Sequence, residues 1–220
     1  MCYTPHHYMH KHLSNQSVID QVPPDYYQKG VKENPLQRFW HTRKLAHVLK
    51  HIDSPEKVLD VGCASGWFLY QIKKKHPHAK CHGIDIYKEG IIYGKKRYPS
   101  LYLKVADAHV LPFKDATFDC VVCTEVLEHV EKPKETVLEI KRVLKPGGVV
   151  VIELDSGSVL FSIVWYLWKK TRGRVWNDSH LHSFTIEKLE RLLIKSGFKI
   201  QSKKRFNLGM AMVFAAVKEK

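Results

Sequence analysis

The sequence predicts an α/β domain, an open sheet with helices on both faces, and three observations carry that prediction. Val58-Leu59-Asp60-Val61 is an apolar, β-branched run that enters Gly62-Cys63-Ala64-Ser65-Gly66 and then the amphipathic start Trp67-Phe68. This is a buried strand, a tight turn and a helix start, in the order that sets backbone N–H groups and a helix N-terminus beside a ligand. Lys80 to Ile86 reads as a second strand that reaches the acidic Asp85. Asp85 follows Gly66 by about twenty residues, the separation at which nucleoside-binding α/β domains set a carboxylate on ribose hydroxyls. A third strand, Tyr102 to Ala106, runs into Asp107-Ala108-His109. Acids at three successive strand ends mark a ligand site along the C-terminal edge of the sheet.

Composition bounds the rest. A chain of 220 residues with 44% hydrophobic and 26% charged residues reads most economically as one globular domain, with two small ones as the alternative, and excludes wholesale disorder. The net charge of +14 favours anionic partners: nucleic acid, an acidic lipid surface or a phosphorylated substrate. The basic residues are spread along the chain instead of gathered in one arm, so nucleic acid is the weaker of these readings. Five cysteines, an odd number without a disulfide spacing, fit a reducing compartment. Cys120 and Cys123 fall on a strand, where residues three apart point to opposite faces, so they read as two small buried hydrophobes and not as a zinc pair. No secretory signal appears, and no apolar run approaches the ~20 residues that span a bilayer. The expected location is cytoplasmic, with a peripheral membrane contact open.

Residues 1–34 read as an N-terminal tail and loop, with His6, His7, His10 and His12 in the tail and Pro23-Pro24 and Pro35 as punctuation. The domain proper is expected over 35–220. A helix from Leu36 to His51 carries its apolar residues at helical spacing (Leu36, Phe39, Trp40, Leu45, Val48, Leu49), and Trp40, His41 and Arg43 stand where they could border a site. Helices are expected over Trp67–Lys75, Lys88–Tyr98 and Thr185–Gly197, and two strand-like segments, Phe198–Lys204 and Ala211–Lys218, close the chain. Residues 156–182 form a substrate-facing insertion or lid. Ser156 to Trp168 is apolar nearly all round, and Lys169-Lys170-Thr171-Arg172-Gly173-Arg174 follows at once. An aromatic-rich apolar helix with a basic end suits a membrane interface or the cover of a greasy substrate, and equally a buried cover helix or a dimer contact.

The ligand is narrowed by what the glycine turn lacks. A dinucleotide fingerprint needs a middle glycine, absent here, and the P-loop pattern is absent too. Asp60, two residues before the first glycine, suits a cationic or amino-bearing ligand better than a polyphosphate.

Val58–Phe68, Gly83-Ile84-Asp85, Ala106–Phe113, Phe118–Val130, and Leu144-Lys145-Pro146-Gly147-Gly148 with Val149–Glu153 resemble, in order, the successive motifs of class I S-adenosylmethionine-dependent methyltransferases of the type 11-like group. The resemblance covers residues 36–217. It implies a Rossmann-like, seven-stranded, mostly parallel sheet with an antiparallel edge hairpin, and S-adenosylmethionine as the cofactor. It implies that Asp60, Gly62 and Gly66, with Cys63 in the same turn, hold the methionine part. Asp85 would take the ribose hydroxyls with Ile86 against the adenine face, and Asp107 the adenine amino group with the Ala108 backbone nearby. Thr124 and Glu125 would close over the methionine side.

Methyl transfer is an in-line displacement, so the protein aligns the reactants, excludes water and, where needed, removes a proton. A phenol or alcohol acceptor, with a pKa of about 10 or higher, gains most from a base or a metal. On a helical turn Glu125, Glu128 and His129 would share one face, with His180 and His182 arriving from across the cleft. Glu125, Glu128, His129 and His180 make a sensible ligand set for a divalent cation such as Mg2+. The Glu-x-x-Glu-His pattern with a distant histidine is similar to that of ubiquinone-type O-methyltransferases and small-RNA 2′-O-methyltransferases. Without metal, His129 would be the general base, with Glu128 and His182 beside it. The expected function is methylation, preferably on oxygen, of a small apolar or lipid-like acceptor. An RNA methyltransferase and a non-catalytic S-adenosylmethionine-binding protein are the alternatives, and the presence of Asp60, Asp85 and Asp107 together argues against the second.

Overall fold

The computed structural model describes residues 21–170 and 180–219. The histidine-rich tail and the basic residues Arg172 and Arg174 lie outside the described residues. The apolar runs pair as strands β1 (Lys57–Val61), β2 (Lys80–Asp85), β3 (Tyr102–Val105), β4 (Phe118–Thr124), β5 (Leu144–Asp155), β6 (Phe198–Phe206) and β7 (Ala211–Lys218). They form one seven-stranded sheet in the order β3-β2-β1-β4-β5-β7-β6. The first five strands are mutually parallel, while β7 runs antiparallel to both β5 and β6. The tight Asn207–Met210 turn allows only an antiparallel return, whereas the helical connections earlier in the chain carry parallel crossovers. From β1 the chain winds out to β3 and then returns to β4 on the other side of β1. This reversal opens a crevice outside the C-terminal ends of β1 and β4.

The helices are α1 (Tyr26–Glu33), α2 (Pro35–Leu49), α3 (Trp67–Lys75), α4 (Lys88–Arg97), α5 (Pro133–Val143), α6 (Val159–Lys170) and α7 (Ile186–Lys195). Two are capped as their sequences dictate. Asn34 Oδ1 accepts from the N–H groups of Leu36 and Gln37 ahead of Pro35, and Thr185 Oγ1 accepts from that of Lys188.

Two expectations are corrected here. The segment read as a loop before Pro35 contains α1, whose Gln28 Nε2 donates to Ser65 Oγ at 3.1 Å and Tyr98 Oη at 3.3 Å. Tertiary contacts, not local periodicity, hold this helix. The apolar stripe of α2 also faces the other way at its start. Leu36 and Phe39 are 61% and 54% exposed, while His41, Lys44 and Val48 are buried. The inward face of α2 meets acidic side chains, and it is a lysine that they take in.

Strand alternation builds two cores, one on each face of the sheet. Leu59, Val61, Val121, Cys123, Ile140 and Phe214 lie in one; Val58, Val122, Cys120, Leu69, Ile72 and Ile91 lie in the other. Cys120 and Cys123 thus point to opposite faces, as their spacing predicts. Burial pushes both thiols up, that of Cys120 to about 12. The two edges of the sheet are unlike its centre. β3 is four residues long, and β6 carries Lys199, Lys203, Lys204 and Arg205 with a register irregularity between Ile200 and Ser202.

Candidate active site

A cavity of about 360 Å³ lies at the C-terminal edge of the sheet, with walls from α1, α2, the turns after β1, β2, β3, β4 and β5, and α6. Of the sequence-predicted residues, Gly62, Asp85, Ile86, Asp107, Ala108, Thr124, Glu125, Glu128, His129 and His180 line it. Asp60, Cys63 and Gly66 stand behind that wall, and His182 lies outside it.

The glycine turn needs its glycines. Gly62 has φ +76°, and a Cβ there would sit 2.2 Å from Val126 Cγ2. The Gly62 and Cys63 N–H groups both donate to the Ile84 carbonyl, at 2.9 and 3.0 Å, which pins the turn onto β2. Asp85 is held by the backbone on both oxygens: Ala64 N–H donates to Oδ2 at 2.7 Å and Tyr87 N–H to Oδ1 at 2.8 Å. Each oxygen keeps a lone pair for a further donor. Asp107 is half exposed, and its Oδ1 accepts from the His109 N–H at 2.8 Å and lies 2.7 Å from His109 Nδ1.

Asp60 is 1% exposed, and its Oδ1 has no hydrogen-bond partner among the described residues. Burial pushes its carboxyl up to about 8, with Asp85 acting the same way and Lys44 against it. The fold therefore keeps a proton that the unfolded chain releases near pH ~4. Stability from this group is full below that pH and is lost as pH rises through about 8. The melting temperature of the ligand-free protein should fall across this window, and Asp60→Asn should flatten the fall. An unchanged slope in Asp60→Asn would contradict the buried, protonated acid.

Lys44 is the functional candidate that sequence reasoning missed. Its side chain is 3% exposed, with Nζ 2.7 Å from Glu125 Oε1 and 3.7 Å from Glu153 Oε2. Burial alone would raise the Glu125 carboxyl, but the ammonium of Lys44 outweighs it and holds the group at about 2. Burial leaves Glu153 at about 8 despite the same lysine. On the same helix His41 is pulled down to about 4 by burial and by Lys44, and it packs edge-on against Tyr27, 5.4 Å between ring centroids. Burial, then Glu125, raises the Tyr27 hydroxyl well above the ordinary range. The one available signal for Lys44 was its place three residues after His41 and four before Val48, on the inward stripe of α2.

The predicted four-ligand set does not assemble. Glu125 has φ +52°, and beyond it only a single turn forms, with His129 N–H donating to the Val126 carbonyl at 2.8 Å. No helical face joins Glu125 to Glu128 and His129; Glu125 turns to Lys44 instead. His182 is also corrected. Its Nε2 lies 3.2 Å from the Glu131 carbonyl, and its backbone N–H donates to the Glu128 carbonyl at 3.1 Å, so it ties two segments together.

What does assemble is Glu128, His129 and His180, with one ligand atom of each within 4.8 Å of the others. Glu128 is 2% exposed, and neither carboxyl oxygen has a hydrogen-bond partner among the described residues. The His180 ring stacks on Trp165 at 5.1 Å, and Trp165 stacks on Phe161 at 5.7 Å. A buried carboxyl and two imidazoles therefore face an aromatic wall supplied by α6.

The pocket thus gathers the carboxyls Asp85, Glu125, Glu128 and Asp155, with Asp60 and Glu153 behind them. Burial raises all of these except Glu125, whose charge Lys44 balances, so the site offers hydrogen-bonding carboxyls more than net negative charge.

The family described as "Methyltransferase domain" matches residues 59–152, the stretch that builds β1 to β5 and the turns around the cavity. An uncharacterised protein of Methanocaldococcus jannaschii is 33% identical over 184 residues, covering 83% of this chain and 82% of that one. A demethylmenaquinone methyltransferase of Lactiplantibacillus plantarum is 26% identical, covering 95% of this chain and 98% of its own. Of two further relatives the chain spans only about half the length, 44% and 50%. The crystal structure of a Thermotoga maritima S-adenosylmethionine-dependent methyltransferase shares the fold, with a TM-score of 0.73 at 20% identity over 93% of this chain and 100% of the other. The reversal at β1, the glycine turn beneath Asp85 and the matched motif stretch lead to one assignment: the chain belongs to the class I S-adenosylmethionine-dependent methyltransferase family.

Proposed function

We propose that this protein transfers a methyl group from S-adenosylmethionine to an oxygen of a small, apolar or lipid-like acceptor. The observation that carries the reading is the pairing, in one cavity, of the carboxyl-rich cofactor side with the aromatic wall of Phe161 and Trp165. The cradle fits the cofactor. Asp85 offers both oxygens to ribose hydroxyls, Asp60 is an unsatisfied buried acid behind the methionine side, and Gly62, whose left-handed backbone and contact with Val126 exclude a side chain, fixes the turn between them. When bound, the cofactor supplies an activated methyl on a positively charged sulfur. The aromatic wall holds the acceptor and excludes water, and alignment does most of the remaining work. The likeness to a demethylmenaquinone methyltransferase supports a lipid-like acceptor.

Glu128, His129 and His180 would hold a divalent cation, and the orphaned oxygens of Glu128 support this role. Two imidazoles and one carboxylate suit a transition metal better than Mg2+. When bound, such an ion supplies a Lewis acid that makes an acceptor hydroxyl easier to ionise. The second reading rests on the position of His129 in the cavity wall: with no metal, it takes the hydroxyl proton itself.

Label from methyl-labelled cofactor, followed into fractions of a cell extract, tests the acceptor. The expected result is label in the lipid or small-molecule fraction, and label in RNA would overturn it. His129→Ala should lower the rate by about 10²- to 10⁴-fold under either reading of the cluster. A chelator separates the two readings: activity unmoved by chelation and by Glu128→Gln leaves His129 as a metal-free base.

A further inference from the structure

The outward face of α6 is apolar as well as its inward face. Phe161 and Trp165 turn to the cavity, while Val159, Ile163 and Tyr166 are 78%, 54% and 55% exposed. These three positions, four and three residues apart, form one stripe along the helix. On α2, Leu36 and Phe39 are also exposed, and Leu36 lines the same cavity. Single exposed apolar residues need no explanation, but a stripe on the helix that also walls an apolar cavity marks a contact surface.

The charge around the stripe indicates what covers it. Lys170 Nζ lies 4.4 Å from the centroid of the Tyr166 ring, at the C-terminal end of the stripe. From Ser156 to Asn177 the sequence holds Lys169, Lys170, Arg172 and Arg174 and no acidic residue. The stripe thus ends at Lys170, and the sequence continues with further basic residues. Anionic lipid headgroups beside an apolar interior complement both features. A 12-residue helix is ~18 Å long and cannot cross a bilayer, and no helix of the described residues is long and apolar enough to do so.

We infer that α6 lies in the surface of an anionic lipid bilayer, with its outer stripe in the acyl boundary and its inner aromatic face roofing the cavity. The cavity, with Leu36 in its lining, then opens toward the membrane. An apolar acceptor would enter from the bilayer without passing through water. This extends the apolar-acceptor reading, and its test is independent of activity.

Vesicle flotation of the full chain tests it, with phosphatidylcholine vesicles set against phosphatidylcholine–phosphatidylglycerol vesicles. The protein should float with the anionic vesicles and only weakly with the neutral ones, since each surface lysine or arginine strengthens such binding roughly fivefold. Val159→Glu with Ile163→Glu should lower the vesicle-bound fraction at least about tenfold. Melting temperature and S-adenosylmethionine binding by calorimetry should stay at wild-type values, because neither side chain lines the cavity. If the double variant melts early, Tyr166→Glu alone carries the same expectation. Absence of flotation, equal flotation on neutral vesicles, or flotation unaltered by the variants would overturn the inference. A wild-type dimer that the double variant dissociates, without vesicle binding, would overturn it too and give the stripe to a second copy. Loss of cofactor binding in the wild-type protein would instead sink the methyl-transfer reading and leave the vesicle result standing.

Discussion

Asp85→Ala is expected to weaken S-adenosylmethionine binding by about 100-fold or more in calorimetry. Both oxygens of Asp85 are already fixed, by the Ala64 and Tyr87 N–H groups, so in the proposed role the group would meet ribose hydroxyls without having to be ordered first. A hydrogen bond to a charged group contributes about 1.5–3 kcal/mol, and two of them correspond to roughly 100-fold or more in affinity. The alanine variant also leaves two backbone donors without their acceptor. Asp85→Asn keeps one carbonyl oxygen and should fall between the two. Asp107, half exposed and already engaged by His109, should cost less on replacement by alanine. Affinity of Asp85→Ala within about threefold of wild type would remove the ribose role and, with it, the chief support for the cofactor assignment.

The second large effect is on stability. Lys44→Met is expected to destabilise the protein by about 3 kcal/mol in urea unfolding, because removing one partner leaves a charge without compensation in a mostly buried setting. The figure sits at the low end for such pairs because the Glu125 side chain is 31% exposed and can reach water through the cavity. Glu153, raised to about 8, is protonated at neutral pH, so the stranded charge belongs to Glu125. Lys44→Met combined with Glu125→Gln should therefore recover most of the loss. Additive losses in the double variant would mean that Lys44 acts through packing and not through the ion pair.

The parts of this fold that the sequence made legible are those governed by local pattern. Trp67–Lys75 has the bounds its periodicity predicts, the acids at the ends of β1 and β2 and just beyond β3 fall on one edge of the sheet, and Cys120 and Cys123 part to opposite faces because strand side chains alternate. What escaped was set by long-range contact. Helix α1 has weak local signals, being held by Ser65 and Tyr98. Lys44 was not singled out, since only folding brings α2 to Glu125 and Glu153 at the ends of β4 and β5. The shared face expected of Glu125, Glu128 and His129 assumed a helix, and the left-handed backbone at Glu125 breaks it. That backbone turns the first carboxylate toward Lys44 and leaves the second beside the histidines.

The two sheet edges bear on the charge of the chain. An edge strand displays unpaired backbone donors and acceptors and invites another strand to add to it, which is how sheet proteins aggregate. On one side β3 offers only four residues for such pairing. On the other, Lys199, Lys204 and Arg205 would meet the like charges of an incoming copy, Lys203 being paired with Glu190, and the irregularity at Ile200–Ser202 spoils the register an added strand would need. Part of the positive charge that suggests an anionic partner thus has a second duty: it keeps the open sheet from growing at its edge, whatever the rest of the surface binds.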